Sequence, residues 1–220
     1  MWGMESPAES HQARLRSRGV ERLVTFTDAV VAIAITLIVL PLVDAAQQAR
    51  SDNAVTFFTD NVLGLFAAAL SFALIASFWK MHHHVYIDVV ASTPSLINAN
   101  LLWVAGIAFL PLPTVLVVEA AGTTAVGSGV YIATILATVV AIRLQKTIIV
   151  RRGLRGPDVP APRTSWTDWL TVPLGVLALV IAVIFPATSL YPLLLLMLAQ
   201  PISALVHRGE RDRSAPSQNI

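Results

Sequence analysis

The chain has 220 residues, of which 55% are hydrophobic and 13% charged, with a net charge of +2 and a mean hydropathy of +0.70. A soluble domain carries about 25% charged residues, so much of this surface faces something other than water. The lack of cysteine excludes a disulfide framework, a thiol nucleophile and a thiolate metal site, and a small charge placed beside apolar runs points to lipid headgroups rather than nucleic acid.

The apolar residues fall into runs of about 20, the length that spans a bilayer as a helix, and they do not alternate as barrel strands would. The expected fold is therefore all-α, with six transmembrane helices. A polar N-terminal segment, 1–19, holds Arg14, Arg16 and Arg18. The first apolar run lacks a small-residue cleavage site and is too long for a signal peptide, so it reads as a retained helix. The spans are placed at 24–43, 61–79, 96–118, 126–145, 169–187 and 189–206, within a membrane domain of residues 20–207. The last two form a tight hairpin or one broken segment around Pro186. Arg151–Thr167 reads as a cytoplasmic linker and 208–220 as a polar, disordered tail.

Lysine and arginine set the orientation. With the N-terminus inside, fourteen of the fifteen basic residues fall on the cytoplasmic side and only Arg50 lies outside. That bias predicts a multi-pass protein of the cell membrane with both termini cytoplasmic. Trp79, Trp103, Trp166 and Trp169 lie near span ends and partly match an aromatic belt.

The first helix is the most informative. Arg22-Leu-Val-Thr-Phe26-Thr27-Asp28 opens it, and Asp28 lies about one turn inside the apolar run, where a carboxylate needs protein or water beside it. Arg22 is no intrahelical partner, because six residues at 100° put it about 120° away. Lys80, the run His82-His83-His84, and Asn98 or Asn100 lie on the same side and are the candidate partners. Asp28 and Arg22 then either fix packing or take part in gating. Along one face, Phe26, Val30, Ile33, Leu37 and Leu40 recur at a 4-3-4-3 spacing with Thr36 beside them. This stripe is either packed or lipid-facing, or it is a hydrophobic constriction built by several copies around an axis.

At these residues the chain resembles the bacterial branch of the transmembrane protein 175 family of potassium-permeable channels. The family pattern Arg-x-x-x-Phe-Ser-Asp stands here as Arg22-x-x-x-Phe26-Thr27-Asp28, with threonine for serine. Ala-Ile-Ala-Ile-Thr-Leu, Trp79-Lys-Met-His-His, and the Asn-rich start and Leu-Pro-Leu-Pro end of the third span are also similar. The resemblance covers three spans; beyond residue 120 it rests on span count and topology. It implies a homotetramer whose four first helices line the pore without a re-entrant filter, with potassium as permeant ion and no cofactor. It further implies a narrow point at Ile33, Leu37 and Leu40 with Thr36 as a polar ring. The cytoplasmic end would be braced by Arg22, Phe26, Thr27 and Asp28, with Trp79, His83 or a neighbouring histidine, and Asn98 as partners.

Other readings are weaker. Thr124-Ala-Val-Gly127-Ser-Gly129 has no room before it for the pore helix of an ordinary potassium filter. Three consecutive histidines point in different directions and make a poor metal site. No enzyme motif is present. A secondary transporter or proton-permeable channel predicts repeated broken helices and midplane ionisable groups, and a non-conducting scaffold predicts that polar substitution of Ile33 changes assembly without changing permeability.

Overall fold

The computed structural model describes residues 7–48, 54–119 and 125–157, together with 172, 173, 176, 177 and 180. Within these residues the chain forms α1 (Pro7–Leu37), α2 (Leu40–Gln48), α3 (Ala54–Asp60), α4 (Val62–Tyr86), α5 (Pro94–Phe109), α6 (Pro111–Glu119) and α7 (Ala125–Arg151). Among the described residues, four segments are long and apolar enough to cross a membrane: Arg16–Gln48, Val62–Tyr86, Pro94–Leu116 and Val126–Arg151. They correspond to the first four predicted spans. The fifth and sixth, 169–187 and 189–206, lie almost wholly outside the described residues, as does the 208–220 tail.

Boundaries differ from the sequence reading in one direction: the helices are longer. Lys80–Tyr86 holds no proline or glycine, so α4 continues past the apolar run and carries all three histidines. A change from apolar to polar residues ends a membrane burial but not a helix, since intrahelical bonds do not depend on the side chains' hydropathy. The same reason carries α1 back to Pro7 and α7 on to Arg151. The short α3 between the first two spans was not expected.

Proline sets the two internal breaks. Pro41 has no N–H to offer the Leu37 carbonyl, and between α1 and α2 the chain tightens into a turn in which Val39 N donates to Thr36 O at 3.2 Å. Pro111 has the same effect between α5 and α6, where Leu110 N donates to Ile107 O at 3.2 Å. Thr93 caps α5 by accepting from Leu96 N at 3.3 Å, with Pro94 at the first helical position, where its missing N–H costs nothing.

α5 packs most closely on α7, and α1 lies against α4, α5 and α6. The main core joins Val31 and Ala34 of α1 and Ile38 of the turn after it to Ile75 and Phe78 of α4, Trp103 and Ile107 of α5, and Ile132, Ile135 and Ile142 of α7. Gly106 permits the α5–α7 approach, since a Cβ there would stand 2.3 Å from Thr138 Oγ1. At the end of the bundle that holds the α4–α5 loop, a second cluster joins Val20, Tyr86, Val89, Leu96, Ile149 and Leu154. There Val90 N donates to Leu154 O at 2.9 Å, Gly156 N donates to Asp88 O at 3.1 Å, and Arg155 pairs with Asp88. The α4–α5 loop and the end of α7 are thus clasped together at one end of the bundle.

Candidate functional site

Three faces of the first span, α1 with the turn after it and the start of α2, have different surroundings. At 100° per residue, Val20, Thr27, Val31, Ala34 and Ile38 fall on one side, and all five are buried in the chain's own core. Phe26, Ile33, Leu37 and Leu40 fall roughly opposite and are exposed, Ile33 by 58%. Val30, at the edge of this stripe, is partly buried against the core. Thr36 is exposed and turns its hydroxyl back to the Ile33 carbonyl, at 2.8 Å. In its most apolar window, the first span, Arg16–Gln48, is 17% buried, against 56% for the α7 span. A helix this apolar and this uncovered by the described residues needs a further nonaqueous surface, lipid or protein.

Asp28 lies on the flank between these faces. Trp79 Nε1 donates to Asp28 Oδ1 at 2.9 Å, and the Trp79 indole stacks on His83 with centroids 5.7 Å apart. This places one donor on a carboxylate that the apolar run would otherwise leave bare. Arg22 is exposed and makes no side-chain pair with Asp28, as their angular separation requires.

Thr27 belongs to a different, largely buried chain of hydrogen bonds. His82 Nε2 donates to Asn100 Oδ1 at 2.8 Å, Asn100 Nδ2 donates to Thr27 Oγ1 at 2.8 Å, and Thr27 Oγ1 donates to Leu23 O at 2.8 Å. Each group uses its donor and acceptor in one consistent direction, which fixes the proton of His82 on Nε2. The imidazole is sandwiched between Tyr86, with centroids 4.3 Å apart, and Trp103, at 4.6 Å. α1, α4 and α5 are thereby pinned at one level. Gln145 of α7 adds a bond to the Ala99 carbonyl beside it, at 3.2 Å.

The residues brought to Thr27 are His82 and Asn100. Asn98 is exposed and His83 lies on the Trp79 flank. The reason is rotational. Buried positions on α4 include Ser71, Ile75, Phe78, His82 and Tyr86, and on α5 Leu96, Ala99, Asn100 and Trp103, so each helix turns only one of its adjacent candidates inward. Ser71 carried a usable signal. Eleven residues bring His82 within about 20° of it, and a serine inside an apolar span marks the protein-facing side. A second buried polar cluster also went unread. Ser71 Oγ lies 2.9 Å from Thr114 Oγ1 and 3.0 Å from the Tyr131 hydroxyl, tying α4, α6 and α7 together.

The arrangement holds an apolar helix face clear of the chain's core and locks that helix against its neighbours. Among the described residues, no group of three metal-ligating side chains is assembled.

Residues 22–111, which contain the exposed stripe and both bracing contacts, match the family described as the endosomal/lysosomal potassium channel TMEM175. Among solved structures, the chain resembles the crystal structure of a homologue of the lysosomal potassium-selective channel TMEM175 from Chamaesiphon minutus. The TM-score is 0.67 at 23% identity, covering 84% of this chain and 98% of that one. No curated protein matches by sequence. The resemblance carried by Arg22, Phe26, Thr27 and Asp28 is thus borne out: from its first span into its third the chain carries the pattern of the TMEM175 family, a family of ion channels rather than enzymes, on the fold of a bacterial homologue.

Proposed function

We propose that the chain is one subunit of a potassium-permeable cation channel in which α1 of several copies lines a central pore. The observation that carries this reading is the exposure of Ile33 and Leu37 on the face of α1 opposite its own core, continued by Leu40 at the start of α2. Lipid would accept that face equally well. The family match and the ionisable Arg22 and Asp28 on the same helix favour an axis with protein and water around it. Four copies, as the resemblance implies, ring the axis with Ile33 at the narrow point, Leu37 and Leu40 beyond it, and Thr36 as a polar neighbour.

Conduction is then passive. An ion crosses an apolar ring whose radius and wetting set the barrier, and potassium distorts its hydration shell at lower cost than sodium. The cytoplasmic end of the pore helix is braced by Thr27 through Asn100 and His82, and by Asp28 through Trp79 and His83. Arg22 and Phe26 stay on the exposed side and Asn98 faces outward on α5, each available to a neighbouring copy. The basic residues near the α4–α5 loop and the end of α7 favour a cytoplasmic location for that end, with both termini on the cytoplasmic side of the cell membrane.

Potassium and sodium fluxes through the purified protein in liposomes test this, with Ile33→Asn and Leu37→Asn beside the wild type. Loss of the preference for potassium in both variants is expected. Unchanged selectivity in both would remove α1 from the pore, and changed assembly with unchanged permeability would favour a scaffold.

A further inference from the structure

We infer that Asp44 is the outer charge of the permeation path, a carboxylate contributed by each copy that concentrates cations at the mouth opposite the bracing network. The inference rests on the reading that α1 lines the pore.

Three observations converge on this residue. The first is register. Asp44 follows Ile33 by eleven residues, which at 100° each returns within about 20° of the same direction. The tight turn at residues 38–39 adds only about 20° for each residue wound at three per turn. Asp44 therefore stays on the side of Leu37 and Leu40. Along the axis it lies about 6 Å beyond Leu40 and about 16 Å beyond Ile33. The second is the surface it shares. Leu37, Leu40, Asp44 and Gln48 form one wall of an open groove of about 580 Å³, with Pro111 and Leu112 of the third span on the other. Among the described residues, Asp44 is the only ionisable side chain lining it. The third is its freedom: Asp44 is exposed, and among the described residues no ion pair or side-chain hydrogen bond engages it.

The chemistry follows from the neighbouring ring. An apolar constriction offers a cation no coordinating group, so entry depends on how often a cation stands at its mouth. A carboxylate one turn outside the last leucine raises that local concentration, and copies around an axis add their fields. Charged mouths of this kind enrich counterions by about 10- to 1,000-fold, and rings of acidic side chains serve cation pores in this way. Gln48, about one further turn out, continues the polar wall without charge.

Such an effect is screened by salt, and a packing effect is not. The Debye length is about 30 Å at 0.01 M and about 3 Å at 1 M. The test measures unitary potassium current entering from the α2 side in planar bilayers of neutral lipid, for wild type, Asp44→Asn, Asp44→Glu and Ile33→Asn. The expected result is a roughly ten-fold smaller entering current for Asp44→Asn at about 0.01 M salt, shrinking to less than about two-fold at 1 M. Asp44→Glu should stay near wild type. Equal currents at low salt, or a loss of equal size at both salts, overturns the inference. If Ile33→Asn alters selectivity while Asp44→Asn changes nothing, the pore reading stands and the charged mouth alone fails. If wild type passes no current, both fail together.

Discussion

Removing Asn100 isolates the contribution of the buried hydrogen-bond chain. The side chain is fully buried and uses both ends of its amide, toward Thr27 and toward His82. In Asn100→Ala, Thr27 keeps its bond to the Leu23 carbonyl and loses one incoming donor. His82, 1% exposed, keeps its ring stack and is left with an unpaired Nε2–H. Interhelical hydrogen bonds in membrane proteins average about 0.6 kcal/mol each, which for two sets a floor near 1 kcal/mol. An orphaned buried donor costs about 1–3 kcal/mol and a lost neutral bond about 1 kcal/mol, which sets a ceiling near 4 kcal/mol. Reversible unfolding in mixed micelles with rising dodecyl sulfate would measure the loss. The pair term comes from a cycle with His82→Phe, a ring that can still stack between Tyr86 and Trp103 but cannot donate. A coupling of about 1–2 kcal/mol is expected, because once the imidazole is gone the amide oxygen has no partner left to lose. Losses that add to within about 0.5 kcal/mol would refute the account, and the brace would then be ring packing alone.

Gly106→Ala should destabilise the α5–α7 contact by roughly 1–3 kcal/mol through overpacking, because the new methyl meets Thr138 Oγ1; Thr138→Ala should restore much of the loss in the same unfolding assay. Asp88→Asn should cost at most about 1 kcal/mol and less in high salt, since the Asp88–Arg155 pair is part-exposed. The backbone bonds between Val90 and Leu154 and between Gly156 and Asp88 remain. Trp79→Phe removes the donor to Asp28 while keeping a ring to stack on His83. It should leave potassium selectivity unchanged and alter open probability in single-channel records; a changed selectivity with unaltered gating would count against a bracing role.

What could be read in advance, and what could not, follows from how a bilayer distributes its constraints. Four span positions and the special status of α1 were legible because hydropathy and charge act along the chain, whereas the breaks at Pro41 and Pro111 fell inside spans drawn as continuous. The rotation of each helix was much less so. In water an amphipathic stripe announces the buried face, but in lipid the outer face is as apolar as the inner one. α4 and α5 therefore carry almost no periodic signal, and the choice between His82 and His83, or between Asn98 and Asn100, had no phase to rest on. The inward face is marked instead by its few polar atoms. Ser71, His82 and Tyr86 on α4 share one side, as do Asn100 and Trp103 on α5, and Thr114 and Tyr131 meet Ser71 from two other helices. Hydrogen-bonding groups inside a span need partners that only other helices supply, so in a chain of this kind the polar minority fixes the packing phase. The apolar stripe of α1 is the complementary case. It is bulky, regular and, among the described residues, exposed, a face that lipid and a neighbouring copy would cover equally well.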